Sequence, residues 1–148
     1  MRLIRNAALA LVGMTVLGAA PGRGQQDTLR WSRVDRRADL VVYVDRWRVD
    51  TLGGGLFQVW MRWDFPTPRV GPTGQVIDHF LSHTVLDCRH FRSSDTEVAY
   101  YFTDTLRSRV SIPESQREWV SPPPQSVGET TITRGCLIAL GKPAQEVR

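Results

Sequence analysis

The chain has 148 residues, 41% of them hydrophobic and 23% charged, with a formal charge of +4 and an isoelectric point near 9.7. That length supports one domain with a sizeable core and excludes two. It gives no support to a nucleic-acid-binding class: Arg2, Arg5 and Arg23 lie in an N-terminal leader without acids, so the charge falls from +4 to about +1 when it is removed, and the remaining charges are interleaved, as in Arg33-Val34-Asp35-Arg36-Arg37.

The leader opens on Met1-Arg2-Leu3-Ile4-Arg5, continues almost wholly apolar from Ala7 to Ala20, and ends in Pro21-Gly22-Arg23-Gly24. This is the pattern of a secretory signal peptide over residues 1–24, cleaved after Gly24. Its apolar run is shorter than the ~20 residues a spanning helix needs, and no second run follows. The expectation is export to the periplasm, cell surface or exterior, with no membrane span after leader removal. The leader contains no cysteine, so no lipid anchor is expected there. Two cysteines remain, Cys88 in a strand-like run and Cys136 near the end, and export favours their pairing as one disulfide.

Short strands are expected at Trp31–Val34 and Asp39–Asp45. Thr51-Leu52-Gly53-Gly54-Gly55 reads as a turn, since glycine tolerates positive φ. Phe57, Val59, Met61, Trp63 and Phe65 then alternate with Gln58, Trp60, Arg62 and Asp64, the period of a strand with one buried face. Pro66, Pro68, Gly71, Pro72 and Gly74 are expected to end that strand in a loop, because proline cannot donate to a ladder. Pairing resumes near Asp78, in a strand from His79 to Phe91 with Thr84, Leu86, Cys88 and His90 on one face. Ser93-Ser94-Asp95 reads as the next turn, and Val98, Tyr100 and Phe102 as the strand beyond it. Connections this short imply antiparallel hairpins.

From Ser111 to Gln125 the chain is a proline-rich extended connector ending in Pro122-Pro123-Pro124. Ser126-Val127-Gly128-Glu129 is a capping box, which predicts a helix start. Ile132, Cys136, Ala139 and Leu140 share one helical face, and Gly141 with Pro143 gives the stop. A strand through Thr130, Ile132, Arg134 and Cys136 is the competing assignment.

Several pieces in this order resemble a known family: Trp31-x-x-Val34, Val42-Tyr43-Val44-Asp45, Val59-Trp60 ending in Asp64-Phe65-Pro66, Ser82 with Asp87-Cys88, Trp119-Val120, Pro124-x-Ser126-x-Gly128-Glu129 and Cys136. The order is similar to that of the bacterial surface-adhesin protein E family, over residues 31 to about 141. The resemblance implies an α+β domain over residues 27–141, followed by a tail over 142–148. Its fold would be a curved antiparallel sheet of about five to six strands with a C-terminal helix packed on one face, tethered by a disulfide. The bridging pair would be Cys88 and Cys136, with Trp31, Trp60, Trp119 and Glu129 structural. It also implies adhesion to extracellular-matrix proteins such as vitronectin and laminin.

Enzyme chemistry finds little support. The chain has no Gly-x-Ser-x-Gly elbow and no protease motif around either cysteine, so no catalytic residue is assigned. His79, His83 and His90 with Asp78 and Asp87 raise the possibility of zinc. On a strand, however, His79 and His83 would stand about 13 Å apart at roughly 3.3 Å per residue, and only a helical turn over 78–83 would let them chelate. No metal and no cofactor are expected. Trp47, Trp60 and Tyr101 stand out as aromatics on nominally wet positions, which marks Trp60 and Tyr101 as candidate ligand-binding residues.

The residues and the resemblance together point to an exported, non-enzymatic binding domain that recognises an extracellular-matrix or envelope protein, with a homodimer formed through edge strands as an option. The alternatives are a periplasmic metal- or small-ligand-binding protein or hydrolase using the His79/His83 region, and a purely structural envelope domain.

Overall fold

The computed structural model describes residues 29–142; the leader assigned to 1–24 and the tail beyond Lys142 lie outside the described residues. Six strands follow one another: β1 (Trp31–Arg36), β2 (Val41–Gly53), β3 (Leu56–Val70), β4 (Val76–Asp87), β5 (Arg92–Phe102) and β6 (Thr105–Ser111). They form one antiparallel sheet in the order β1-β2-β3-β4-β5-β6, so every strand pairs with its sequence neighbour. After a single 3₁₀ turn at Glu114–Gln116 the chain ends in helix α1 (Val127–Ala139), which packs across β1 to β4. The α+β expectation therefore stands as a six-stranded open sheet with one helix on it.

Alternation along β3 decides which face the helix covers. Val59, Met61 and, across the ladder, Leu86 join Val34, Val42 and Val44 beneath Ile132 and Cys136, all buried in one cluster. Fully burying side chains of this size contributes about 1.5–3 kcal/mol each, which holds the short helix against the sheet. Helix rather than strand wins at residues 127–139 because both ends are capped. Ser126 Oγ accepts the Glu129 N–H at 3.2 Å, and Glu129 reaches back to the Gln125 N–H rather than to that of Ser126. At the other end Gly141 takes φ +69°, and the Gly141 and Lys142 amides bond the Ile138 and Leu137 carbonyls, a Schellman closure. The buried stripe is Thr131, Ile132, Gly135 and Cys136. Leu140, expected on that stripe, is instead the C-cap and 52% exposed.

Three further expectations are corrected. β3 does not end at Pro66 but runs to Val70. Its ladder passes from Asp64↔His79 to Arg69↔Ile77, so the prolines fall in an irregularity where β3 carries more residues than β4 and no ladder N–H is required of them. Ser93, Ser94 and Asp95 are not a turn; they pair with Leu86, Val85 and Thr84 inside β5. The turn lies earlier, over residues 88–91, where Phe91 adopts φ +56°. Asp87 builds it: Oδ1 accepts the Arg89 and His90 amides, and Oδ2 meets the His90 ring and Arg92. Burial opposes ionisation of Asp87, but those bonds outweigh it and hold its pKa at about 2.

Cys88 consequently sits one residue beyond β4, not on a strand's inward face. It remains tied to the sheet edge by its N–H to the Gly55 carbonyl, and it forms the disulfide with Cys136, with the two Cα atoms 5.7 Å apart. The glycine turn before β3 is tighter than expected: Thr51, Leu52 and Gly53 belong to β2 and the turn itself is Gly54-Gly55, with Gly53, Gly54 and Gly55 all at positive φ. Between β5 and β6 a two-residue turn uses Thr103 and Asp104, both at positive φ, and the Asp78 carboxylate holds the Thr103 N–H.

Candidate functional site

The sheet face opposite α1 gathers the aromatics singled out in the sequence. Trp60 pairs with His83 and Tyr101 with His79 in the ladder, all four on that face by strand parity. Trp31 joins them from β1, pairing with Asp45 of β2. Trp60, Tyr101 and Trp31 line one depression of about 190 Å³ together with Arg30, Arg48 and Arg109.

A bulge in β2 delivers Arg48 and anchors Arg30. Between Val44↔Met61 and Val49↔Val59, residues 45–48 stand opposite Trp60 alone. Asp45 shapes this bulge: its buried carboxylate accepts the Trp47 and Arg48 amides and is gripped by Arg30 at 2.7 and 2.6 Å. Trp47 is thrown outward, 60% exposed, and Arg48 turns toward the depression without an ion-pair partner among the described residues. On the far side, Arg109 is held by Glu97 at 2.6 Å. Arginines beside aromatic walls are the composition of recognition surfaces, since a guanidinium can pair a carboxylate while the rings take apolar or planar groups.

The histidines are engaged within this face. His83 stacks on Trp60 with ring centroids 4.4 Å apart, and its Nδ1 faces Gln58 Nε2 at 3.4 Å. Burial lowers its pKa, against the raising effect of Glu97 and Asp50, so the ring on Trp60 is neutral at neutral pH. His79 stacks on Tyr101 at 5.0 Å and pairs its Nδ1 with Asp78. Residues 78–83 are strand, which removes the helical turn that chelation by His79 and His83 required. His90 lies in the 88–91 turn with Asp87, away from both. Among the described residues no three His, Cys, Asp or Glu side chains come together as a ligand set.

Trp119, expected to be structural, is 42% exposed and carries Arg92 over its ring at 4.6 Å, while the neighbouring Val120 bridges to Ser93. Arg30, Arg48 and Arg109 were not singled out in the sequence. Their only signal there is the Arg-Trp-Arg run at residues 46–48, which says nothing of a bulge. A larger cavity, about 420 Å³, lies on the other face, between the sheet, α1 and the connector.

Among the described residues no helix is long and apolar enough to cross a membrane. No curated protein matches the sequence. Solved structures that share the fold include two of protein E. One is a crystal structure of protein E from non-typeable Haemophilus influenzae, 12% identical, with a TM-score of 0.50 over 72% of this chain and 75% of that one. Another is a second crystal form of Haemophilus influenzae protein E, 14% identical, with a TM-score of 0.51 over 76% and 87%. The sequence itself matches the model of surface-adhesin protein E over residues 31–137, from the first residue of β1 into the last turn of α1. On that match, and with the meander, helix and sheet order in place, the chain belongs to the surface-adhesin protein E family.

Proposed function

We propose that the protein is an exported, non-enzymatic binding domain that recognises a protein partner at the cell envelope or in the extracellular matrix, through the sheet face opposite α1. The observation that carries this is the depression walled by Trp60, Tyr101 and Trp31 and rimmed by Arg30, Arg48 and Arg109. Aromatic and arginine side chains are the residues that dominate binding energy at protein interfaces. The rim is cationic, so the partner segment would carry carboxylates beside an apolar or aromatic side chain. Family membership in a group of surface adhesins supports the same direction.

The test is capture by immobilised disulfide-bonded protein from envelope extracts and from purified matrix proteins, compared with Arg48→Glu and Trp60→Ala. A saturable partner whose affinity drops about tenfold or more in both variants supports the reading. Absence of any saturable partner, or binding by both variants as tight as by the wild type, would sink it.

One feature favours a second copy as an additional partner. β6 leaves its outer edge unpaired among the described residues, and Leu106 and Val110 on it are 49% and 43% exposed. Sedimentation of the wild type and of Leu106→Lys decides: a concentration-dependent dimer lost in the variant is expected, and a wild-type monomer at all concentrations ends the idea.

A further inference from the structure

The cavity beneath α1 is unlike the aromatic depression in charge. Its 420 Å³ lies within the range of small-molecule sites. Met61, Trp63 and Ile132 supply apolar wall, while Asp95 from β5 and Glu118 from the connector supply carboxyls; among the described residues no lysine or arginine lines it. Its chemistry is that of a site for a positive, partly apolar guest.

The hydrogen bonds around Asp95 run in one direction. Trp63 Nε1 donates to Ser82 Oγ at 3.2 Å, Ser82 meets Thr84 at 3.0 Å, and Thr84 Oγ1 donates to Asp95 Oδ1 at 2.6 Å. Because the indole only donates and the carboxylate only accepts, the two hydroxyls between them must pass the donor direction on, and the relay ends on Asp95. Oδ2 of Asp95 receives no bond from the described residues, and both Asp95 and Glu118 are exposed at the cavity rim. Crowding by the surrounding protein raises the Asp95 pKa, with the Thr84 bond opposing the rise. No cation among the described residues pairs with the carboxylate. From the facing helix, Thr131 lines the same cavity, is 2% exposed, and holds a hydroxyl without a partner among the described residues. A buried hydroxyl left this way is destabilising, and a guest with N–H donors offers it a partner.

We propose that this cavity binds a small aliphatic ammonium, with its charge on Asp95 and Glu118 and its stem against Met61, Trp63 and Ile132. The site is separate from the aromatic face and independent of any partner protein bound there. Two sources share that chemistry, a free alkylamine and a lysine side chain on a short peptide.

The experiment titrates the intact disulfide-bonded protein with 1,4-diaminobutane, n-butylamine, an acetylated lysyl-glycine peptide, n-butanol and butyrate, followed by amide and indole shifts in nitrogen–proton correlation spectra. Saturable shifts at the Trp63 indole and at the Thr84 and Asp95 amides are expected with an ammonium compound. Strongest binding by the free amines points to a metabolite, and by the peptide to a lysine side chain. Asp95→Asn, which keeps the shape and the Thr84 bond, should weaken binding about tenfold or more, and Glu118→Gln less. Three outcomes would overturn the proposal: no saturation by any ammonium up to about 10 mM, butanol or butyrate binding as well as butylamine, or unchanged affinity in Asp95→Asn with a native spectrum.

Discussion

Gly135 on α1 lies directly against Leu86 on β4: a Cβ added to the glycine would stand 2.9 Å from Leu86 Cδ1, a distance real Cβ contacts essentially never show. The next residue is Cys136, so this close approach of helix to sheet lies beside the disulfide that ties α1 to the turn after β4. Glycine in a helix interior ordinarily costs about 1 kcal/mol against alanine; here it permits the approach that buries Ile132 and Cys136.

Gly135→Val should therefore destabilise the protein by about 2 kcal/mol, from overpacking against Leu86. Leu86→Ala alone should cost about 3 kcal/mol through the cavity it leaves. Combined, the two should cost less than their sum, because the valine fills space the leucine vacated. Urea unfolding of the four proteins in the cycle checks this, and strict additivity would show that the two side chains do not meet.

Reduction of Cys88–Cys136 removes a cross-link between residues 48 apart, worth about 4 kcal/mol on the chain-entropy account. The helix should be the first element to loosen, since its other attachments are one buried stripe, the Arg134 bond to the Val34 carbonyl and an extended connector. Hydrogen exchange should show lost protection in α1 before β3 and β4. Two free thiols in the natively isolated protein, measured by mass, would contradict the bridge.

Asp87 sets an acid limit on stability. Its pKa of about 2 lies below the ordinary 3.8, so its contribution is complete above pH 3.8 and is lost as pH falls toward 2. Asp78, also lowered, adds to the same limb: burial opposes its ionisation, but the Thr103 N–H and His79 favour it. Asp87→Asn should lower stability at neutral pH by about 2 kcal/mol and flatten the fall between about pH 4 and pH 2. Denaturation midpoints across that range measure it, and an unchanged acid limb in the variant would assign the effect to other carboxylates.

Arg30 and Asp45 hold the β2 bulge that faces Trp60. Arg30→Ala leaves the Asp45 carboxylate buried with two amide donors and no counter-charge, and should cost about 2–3 kcal/mol, less than for a fully buried pair because Arg30 is partly exposed. The indole signals of Trp31 and Trp60 should shift with it. Stability within about 0.5 kcal/mol of wild type would mean that the bulge holds without the arginine.

Much of the architecture was legible because it depends on local rules. Alternation through Phe57–Phe65 set the buried face of β3, the glycine triplet set its hairpin, and Ser126 with Glu129 set the start of α1. Where those rules misled, a tertiary contact outweighed them. Pro66 and Pro68 stay in a strand because a ladder irregularity asks no N–H of them. Ser93 and Ser94 stay in β5 because Leu86 and Val120 pair with Ser93, while Asp87 makes the turn instead.

By itself the sequence determined the covalent and periodic facts: two cysteines to pair, one strongly amphipathic strand, a capped terminal helix, and the ordered residues of the surface-adhesin protein E family. Only the tertiary structure decided which side chains share a surface. Trp31, Trp60 and Tyr101 are far apart in sequence, and they meet with Arg48 because antiparallel register and a four-residue bulge bring them to one face. Asp95 and Glu118 likewise face one cavity only because the connector folds back over β5. Strand parity is a local property that a sequence displays; register shifts and the return of a connector are set by the balance of many non-local contacts, which it does not.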